Sequence, residues 1–139
     1  HSERMEGIRS YIEENTDIEI VFVESGYANL LISDEEISRI FSEYSDIDGI
    51  FATSGVTALG IRQYLGESQV AVMTVDAQQD ALTAVENGEL AALAAQSGYD
   101  IGYETVRFIA ENRGNDSSVL KDRILEADIL TKDNIDEWE

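Results

Sequence analysis

Four short stretches of this sequence carry side chains with the means to do chemistry. They are residues 24–29, 54–57, 76–79 and 96–100, and each follows a run of apolar, mostly β-branched or small residues. Their polar groups include carboxylates, amides, hydroxyls and the aromatic ring of Tyr27. Such a mixture both donates and accepts hydrogen bonds, which suits a neutral polyhydroxylated ligand. Each candidate also has a plainer reading. Asp76 could start a turn or cap the next helix, and Ser54 stands where it could cap a helix beginning at Val56. Gln96 could be a surface amide, and Tyr27 could pack over a sheet edge. Arg4 falls in the first turn of a helix, at the unfavourable positive end of the helix dipole. Either Glu3 or Glu6 offsets it as a solvated pair, or Arg4 has a ligand to reach.

Catalytic and metal chemistry finds little support. There is no cysteine, which excludes disulfides, thiolate metal sites and cysteine nucleophiles. The single histidine, His1, leaves no histidine cluster for a metal and no internal Ser-His-Asp relay. With 29 acidic residues, a pair of carboxylates is always at hand and says nothing about glycoside hydrolysis. Asp17, Glu19 and Glu24 lack calcium-ligand spacing and read as a solvated face. No Walker sequence and no G-x-G-x-x-G follows a strand. A phospho-receiver domain would need a lysine after a late strand, and the two lysines, Lys121 and Lys132, both lie near the end. The chain therefore reads as a non-enzyme with no cofactor and no metal.

The 139 residues are the length of one compact domain. Nine basic residues against 29 acidic ones give a net charge of −20. A surface so anionic repels phosphate backbones and anionic lipid, so nucleic acid and membrane surfaces are excluded as partners. A hydrophobic content of 43% argues for a packed core. No apolar run reaches the ~20 residues of a membrane span, and no signal peptide opens the sequence.

The elements that must position the four stretches alternate in type. Met5, Ile8 and Ile12 recur at helical spacing, which predicts a helix over 3–14 with Ser2 near its cap. Residues 19–23 (EIVFV) predict a strand. Ser33 and Glu36 form a capping-box pattern ahead of a helix striped by Ile37, Ile40, Phe41 and Tyr44. A strand follows at 49–53, a helix at 56–65 closed by Gly66, and a strand at 70–75 whose unbroken apolar run predicts burial on both faces. A helix over 80–86 stops at Asn87-Gly88. Residues 90–95 predict a strand, 99–112 a helix, 113–118 a loop, 124–130 a strand and 132–139 a helical end. Strand–helix alternation of this kind implies an α/β fold, a three-layer α/β/α sandwich around a mostly parallel, doubly wound sheet.

Several blocks, in order, carry a resemblance to a known family. They are Phe51-Ala52-Thr53-Ser54-Gly55-Val56-Thr57-Ala58-Leu59-Gly60, Val75-Asp76-Ala77-Gln78-Gln79-Asp80-Ala81-Leu82, Asn87-Gly88-Glu89-Leu90 and Ala95-Gln96-Ser97-Gly98-Tyr99-Asp100-Ile101-Gly102-Tyr103. Together with the opening Glu3-Arg4-Met5-Glu6-Gly7-Ile8, they resemble the sugar-binding type I periplasmic binding proteins that serve ABC importers. The resemblance covers the second half of a family member, its C-terminal lobe, and implies a flavodoxin-like lobe over 1–139 with a hinge-crossing tail at 113–139. By position it implies ligand contacts from Arg4, Ser54, Asp76 and Gln96, with a looser match at Tyr27. The family usually has asparagine then aspartate where this chain has Ser54-Gly55, so some hydrogen-bonding capacity is gone there.

The resemblance further implies a non-catalytic role: one wall of a cleft for a small-molecule sugar, with a missing N-terminal lobe closing over it. It implies an ABC permease as partner and an extracytoplasmic location. The alternative is a ligand-sensing effector domain of a sensor kinase or a LacI-type transcriptional regulator. The helix over 99–112 would pack on the missing lobe. Without that lobe, its apolar side (Ile101, Val106, Phe108, Ile109) either folds back onto its own sheet or packs against a second copy, and the second outcome, a homodimer of the isolated lobe, is the expectation.

Overall fold

A computed structural model describes residues 2–24, 34–114 and 122–138. The elements run α1 (Ser2–Asn15), α2 (Asp34–Glu43), β1 (Gly49–Ala52), α3 (Gly55–Leu65), β2 (Ala71–Val75), α4 (Gln79–Glu86), β3 (Ala92–Ala95), α5 (Gly98–Glu111) and β4 (Asp128–Leu130), with a 3-10 turn at Ile135–Glu137. The strands form one sheet in the order β1-β2-β3-β4. The first three are parallel, with Ile50 opposite Val72 and Thr74 opposite Leu93. β4 returns antiparallel to β3, pairing Leu130 with Leu93. The α/β class and the mostly parallel sheet are therefore those the alternation implies.

One face of the sheet makes the core. Ile50, Ala52, Val72, Leu93, Ala95 and Leu130 point to it and are buried. Against them pack Ile37 of α2, Ala58 and Ile61 of α3, Ala81, Ala84 and Val85 of α4, and Leu90. Small alanines on α3 and α4 let these helices approach the strands closely. Among the described residues Thr74 is the one buried polar core residue, and its hydroxyl lies within hydrogen-bonding distance of the Ala52 carbonyl (3.0 Å) and the Val75 carbonyl (3.2 Å). Gly88 stops α4 with φ +77°, a left-handed conformation that costs a glycine nothing.

The opposite face is more open. Burial alternates along β1 and β3, and Ala71 and Met73 of β2 are only half-buried, so β2 is not sealed on both sides as its apolar run suggests. Phe51 is 37% exposed and Ile129 62%. No residue of α5 is buried, and Ile101, Val106 and Ile109 are exposed on it.

Three expectations are corrected. Residues 19–23 are not in a strand; among the described residues they pair with none. The last strand is shorter than 124–130, covering Asp128–Leu130, because pairing with β3 extends only from Leu93 to Ala95. The helical end shrinks to the 3-10 turn, in which Asn134 Oδ1 accepts from the Thr131 N–H at 2.7 Å and diverts the backbone from an α-helix. The capping residue Ser33 and most of the loop 113–118 lie outside the described residues.

Candidate functional site

The carboxyl ends of parallel strands form the edge where open α/β sheets bind ligands. Here β1 ends at Ala52 and α3 begins at Gly55, so Thr53 and Ser54 make the whole connection. β2 passes into α4 through residues 76–78, and β3 into α5 through Gln96 and Ser97. Short connections leave little freedom, so the residues in them are positioned by the sheet itself.

Asp76 is held most tightly. Its N–H donates to the Ala94 carbonyl of β3 at 3.1 Å, and its own carbonyl accepts from the Gln78 N–H at 3.0 Å. Its φ of +73° makes it the only non-glycine residue in the left-handed region among those described. Such a conformation costs on the order of 1–3 kcal/mol outside glycine, with aspartate among the better-tolerated residues. The strained turn brings the carboxylate to face Arg4: Oδ1 lies 3.7 Å from the guanidinium Nη2. Both side chains keep over a third of their surface open to solvent (35% for Arg4, 40% for Asp76). A pair so exposed adds little to stability.

Arg4 reaches this edge from α1. Its Nη1 donates to the Thr53 carbonyl at 3.2 Å, tying the start of the helix to the end of β1. Neither Glu3 nor Glu6 pairs with it among the described ion pairs; its partners are Thr53 and Asp76. The cation at the wrong end of a helix dipole is thus engaged at the sheet edge rather than by its helical neighbours.

Ser54 occupies the N-cap position of α3 with extended backbone (φ −151°, ψ 135°), yet its side chain makes no capping hydrogen bond. Its carbonyl accepts from the Ala58 N–H at 3.0 Å. The hydroxyl is therefore not committed to the helix, and the capping reading does not hold. Gln96 stands exposed at the end of β3 and bonds to none of Arg4, Ser54 or Asp76. Its neighbour Ser97 caps α5, accepting from the Asp100 N–H at 3.1 Å. The structure thus brings Arg4, Asp76 and the Thr53–Ser54 connection together, with Gln96 on the same rim. Tyr27 lies outside the described residues.

The Thr53 carbonyl was not legible as a site group. A main-chain acceptor leaves no trace in residue type, and only the crossing of Arg4 reveals it. The site's formal charges cancel, one guanidinium against one carboxylate, beside hydroxyl and amide groups. Among the described residues, no group of three or more His, Cys, Asp or Glu side chains could hold a metal ion.

A family model described as a periplasmic binding protein domain matches residues 1–115. The chain belongs to this family. Its structural neighbours agree. AraP, an arabinose-binding protein from Geobacillus stearothermophilus, superposes with a TM-score of 0.79 at 25% identity, over 100% of this chain and 52% of that one. A mutant XylFII-LytSN complex matches with a TM-score of 0.76 at 25% identity, over 96% of this chain and 54% of that one. A solute-binding protein of an ABC transporter from Agrobacterium vitis, with bound D-fucose, has a TM-score of 0.77 at 22% identity, over 97% of this chain and 48% of that one. That last likeness is one of fold alone. The chain spans about half the length of the solved structures it matches. No curated protein sequence matches it.

Proposed function

We propose that this chain is the C-terminal lobe of a carbohydrate-binding protein of an ABC importer, working outside the cytoplasm and performing no chemistry. The sugar lies against Arg4, Ser54 and Asp76, with Gln96 at the rim. The tail at 113–139 crosses the hinge, an N-terminal lobe closes over the exposed side of the ligand, and the closed protein docks on an ABC permease. The single observation that carries the reading is Asp76, whose left-handed turn presents a carboxylate to Arg4 at the sheet edge. A fixed acceptor beside a fixed donor matches two neighbouring sugar hydroxyls, each of which donates and accepts. AraP, an arabinose-binding protein at 25% identity, supports a sugar as ligand. The test is titration of the chain with L-arabinose, D-fucose and D-arabinose, followed by protein NMR. Shifts confined to the amides of Thr53, Ser54, Asp76 and Gln96 support the reading, and shifts elsewhere or none oppose it.

One observation favours a second reading. The XylFII-LytSN complex, at 25% identity, has a lobe of this fold assembled with another protein. In that case the same cleft serves ligand sensing, and the closed form engages a signalling partner in place of a permease.

A further inference from the structure

We propose that Asp128, the first residue of β4, is a further ligand-contacting residue of this edge. Its carboxylate accepts from a sugar hydroxyl on the side of the ring away from Arg4 and Asp76. The proposal rests on the reading of the edge as a sugar cleft, and adds to it one contact and a charge preference.

The register of β4 places the residue. Asp128 lies opposite Ala95, the last residue of β3, and Gln96 follows Ala95 directly. Because β4 runs antiparallel, its first residue stands where the three parallel strands end. Asp76 approaches β3 from its other side, its N–H donating to the Ala94 carbonyl at 3.1 Å. One strand, β3, therefore separates the two aspartates. Neighbouring strands lie about 4.8 Å apart, which puts the two backbones on the order of 10 Å from each other. One sugar ring, with a charge-assisted hydrogen bond of about 2.7 Å at each end, spans that gap.

The residue type is the second observation. Side chains alternate along a strand, so Asp128 shares the face of Leu130, which is buried in the core. Across the ladder from it, Ala95 is fully buried. An apolar residue fits such a register position, and aspartate is among the residues depleted from strands. The chain places an exposed residue with a carboxylate there instead. That carboxylate forms no ion pair and no hydrogen bond among the described residues. Packing does not account for a charge that breaks the strand's own pattern, and a ligand hydroxyl at the mouth of the cleft does.

Asp128 also narrows the ligand. The Arg4 guanidinium stands against two carboxylates, those of Asp76 and Asp128, so negative charge is in excess along the rim. A sugar acid is then repelled and a neutral sugar is retained.

The test titrates the full chain and its Asp128→Asn and Asp128→Val variants with two sugars. One is L-arabinose; the other is D-galacturonate, which keeps the same ring hydroxyls and adds a carboxylate. Affinity is read by NMR from the amides of Ser54 and Asp76. The parent should bind L-arabinose more tightly than D-galacturonate. Asp128→Asn should weaken L-arabinose by roughly threefold or more and narrow the gap between the two sugars. Asp128→Val should weaken it at least as much and melt no lower than the parent. Unchanged L-arabinose affinity in either variant overturns the contact and leaves the cleft standing. A valine variant of that kind that also self-associates assigns Asp128 to guarding the edge strand. A lower melting point for the valine variant, or equal affinity of the parent for both sugars, overturns the proposal likewise. A parent whose Ser54 and Asp76 amides respond to neither sugar overturns the cleft itself, and the contact with it.

Discussion

The Arg4 guanidinium and the Asp76 carboxylate face each other 3.7 Å apart, one from the first turn of a helix and the other from a left-handed turn at the end of a strand. Each residue is disfavoured where it stands: a cation at a helix N-terminus, and an aspartate at φ +73°. Two locally unfavourable residues thus share one edge, which the proposed binding site would account for.

Asp76 should therefore separate binding from stability. Asp76→Asn keeps a residue that tolerates the turn but removes the charge, and sugar affinity should fall at least roughly tenfold for each charge-assisted hydrogen bond lost. Asp76→Gly relieves the strained φ and should raise stability by about 1 kcal/mol while abolishing measurable binding. Thermal melts and sugar titrations of both variants check this. A glycine variant that is less stable, or an asparagine variant with unchanged affinity, returns Asp76 to an ordinary turn former.

Arg4 is expected to act through geometry as well as charge. Its two nitrogens engage Thr53 and Asp76 together, a fork that lysine cannot reproduce. Arg4→Lys should thus weaken sugar binding nearly as much as Arg4→Ala, and neither should shift the melting temperature by more than a few degrees, since the pair is exposed.

Most of the fold was legible in the sequence, because periodicity and stop signals agree locally. The helices at Gly55–Leu65 and Gln79–Glu86 fall within a residue or two of their expected bounds, each closed at the expected Gly66 or Asn87-Gly88. What was not legible depends on neighbours. Residues 19–23 have strand composition but no partner, and a strand exists only where another strand hydrogen-bonds to it. Ser54 has the right type and position for a cap, yet its hydroxyl does not bond the helix, which residue type cannot foretell. Gln96 was correctly placed at the sheet edge, but only side-chain geometry reveals that it stands apart from Arg4 and Asp76.

Two glycines should respond to alanine in opposite senses. Gly88 sits at φ +77° with Lys132 Nζ 3.7 Å from where a Cβ would stand, so Gly88→Ala should destabilise by about 1 kcal/mol or more. Gly7 lies inside α1 with nothing within 4 Å of a built Cβ, so Gly7→Ala should stabilise by up to about 1 kcal/mol. Urea denaturation midpoints decide both signs.

The segment leading to β4 is clasped to α5 by charge. Arg123 pairs with Glu104 at 2.6 Å and with Glu111, and its guanidinium lies 5.5 Å from the centre of the Phe108 ring. Arg107 joins the same two carboxylates at 2.6 and 3.7 Å. The hydrogen bond that Arg123 donates to Glu104 first, and then the field of Glu111, outweigh desolvation and raise the Arg123 pKa above its ordinary value. Arg123→Ala should speed amide exchange across residues 122–127, and high salt should do the same to the parent chain. Unchanged exchange in both would mean that packing on Phe108 alone holds the segment.

The most direct measurement of the central claim is an NMR titration of the isotopically labelled chain with L-arabinose. The proposed function makes the lobe one wall of a cleft, so binding should be weak, with a Kd in the millimolar range or about −4 kcal/mol. Amide shifts should concentrate at Thr53, Ser54, Asp76 and Gln96, and disappear in Asp76→Asn. Sub-micromolar affinity, or shifts on α5 with silence at the sheet edge, would contradict a half-cleft built on Arg4 and Asp76.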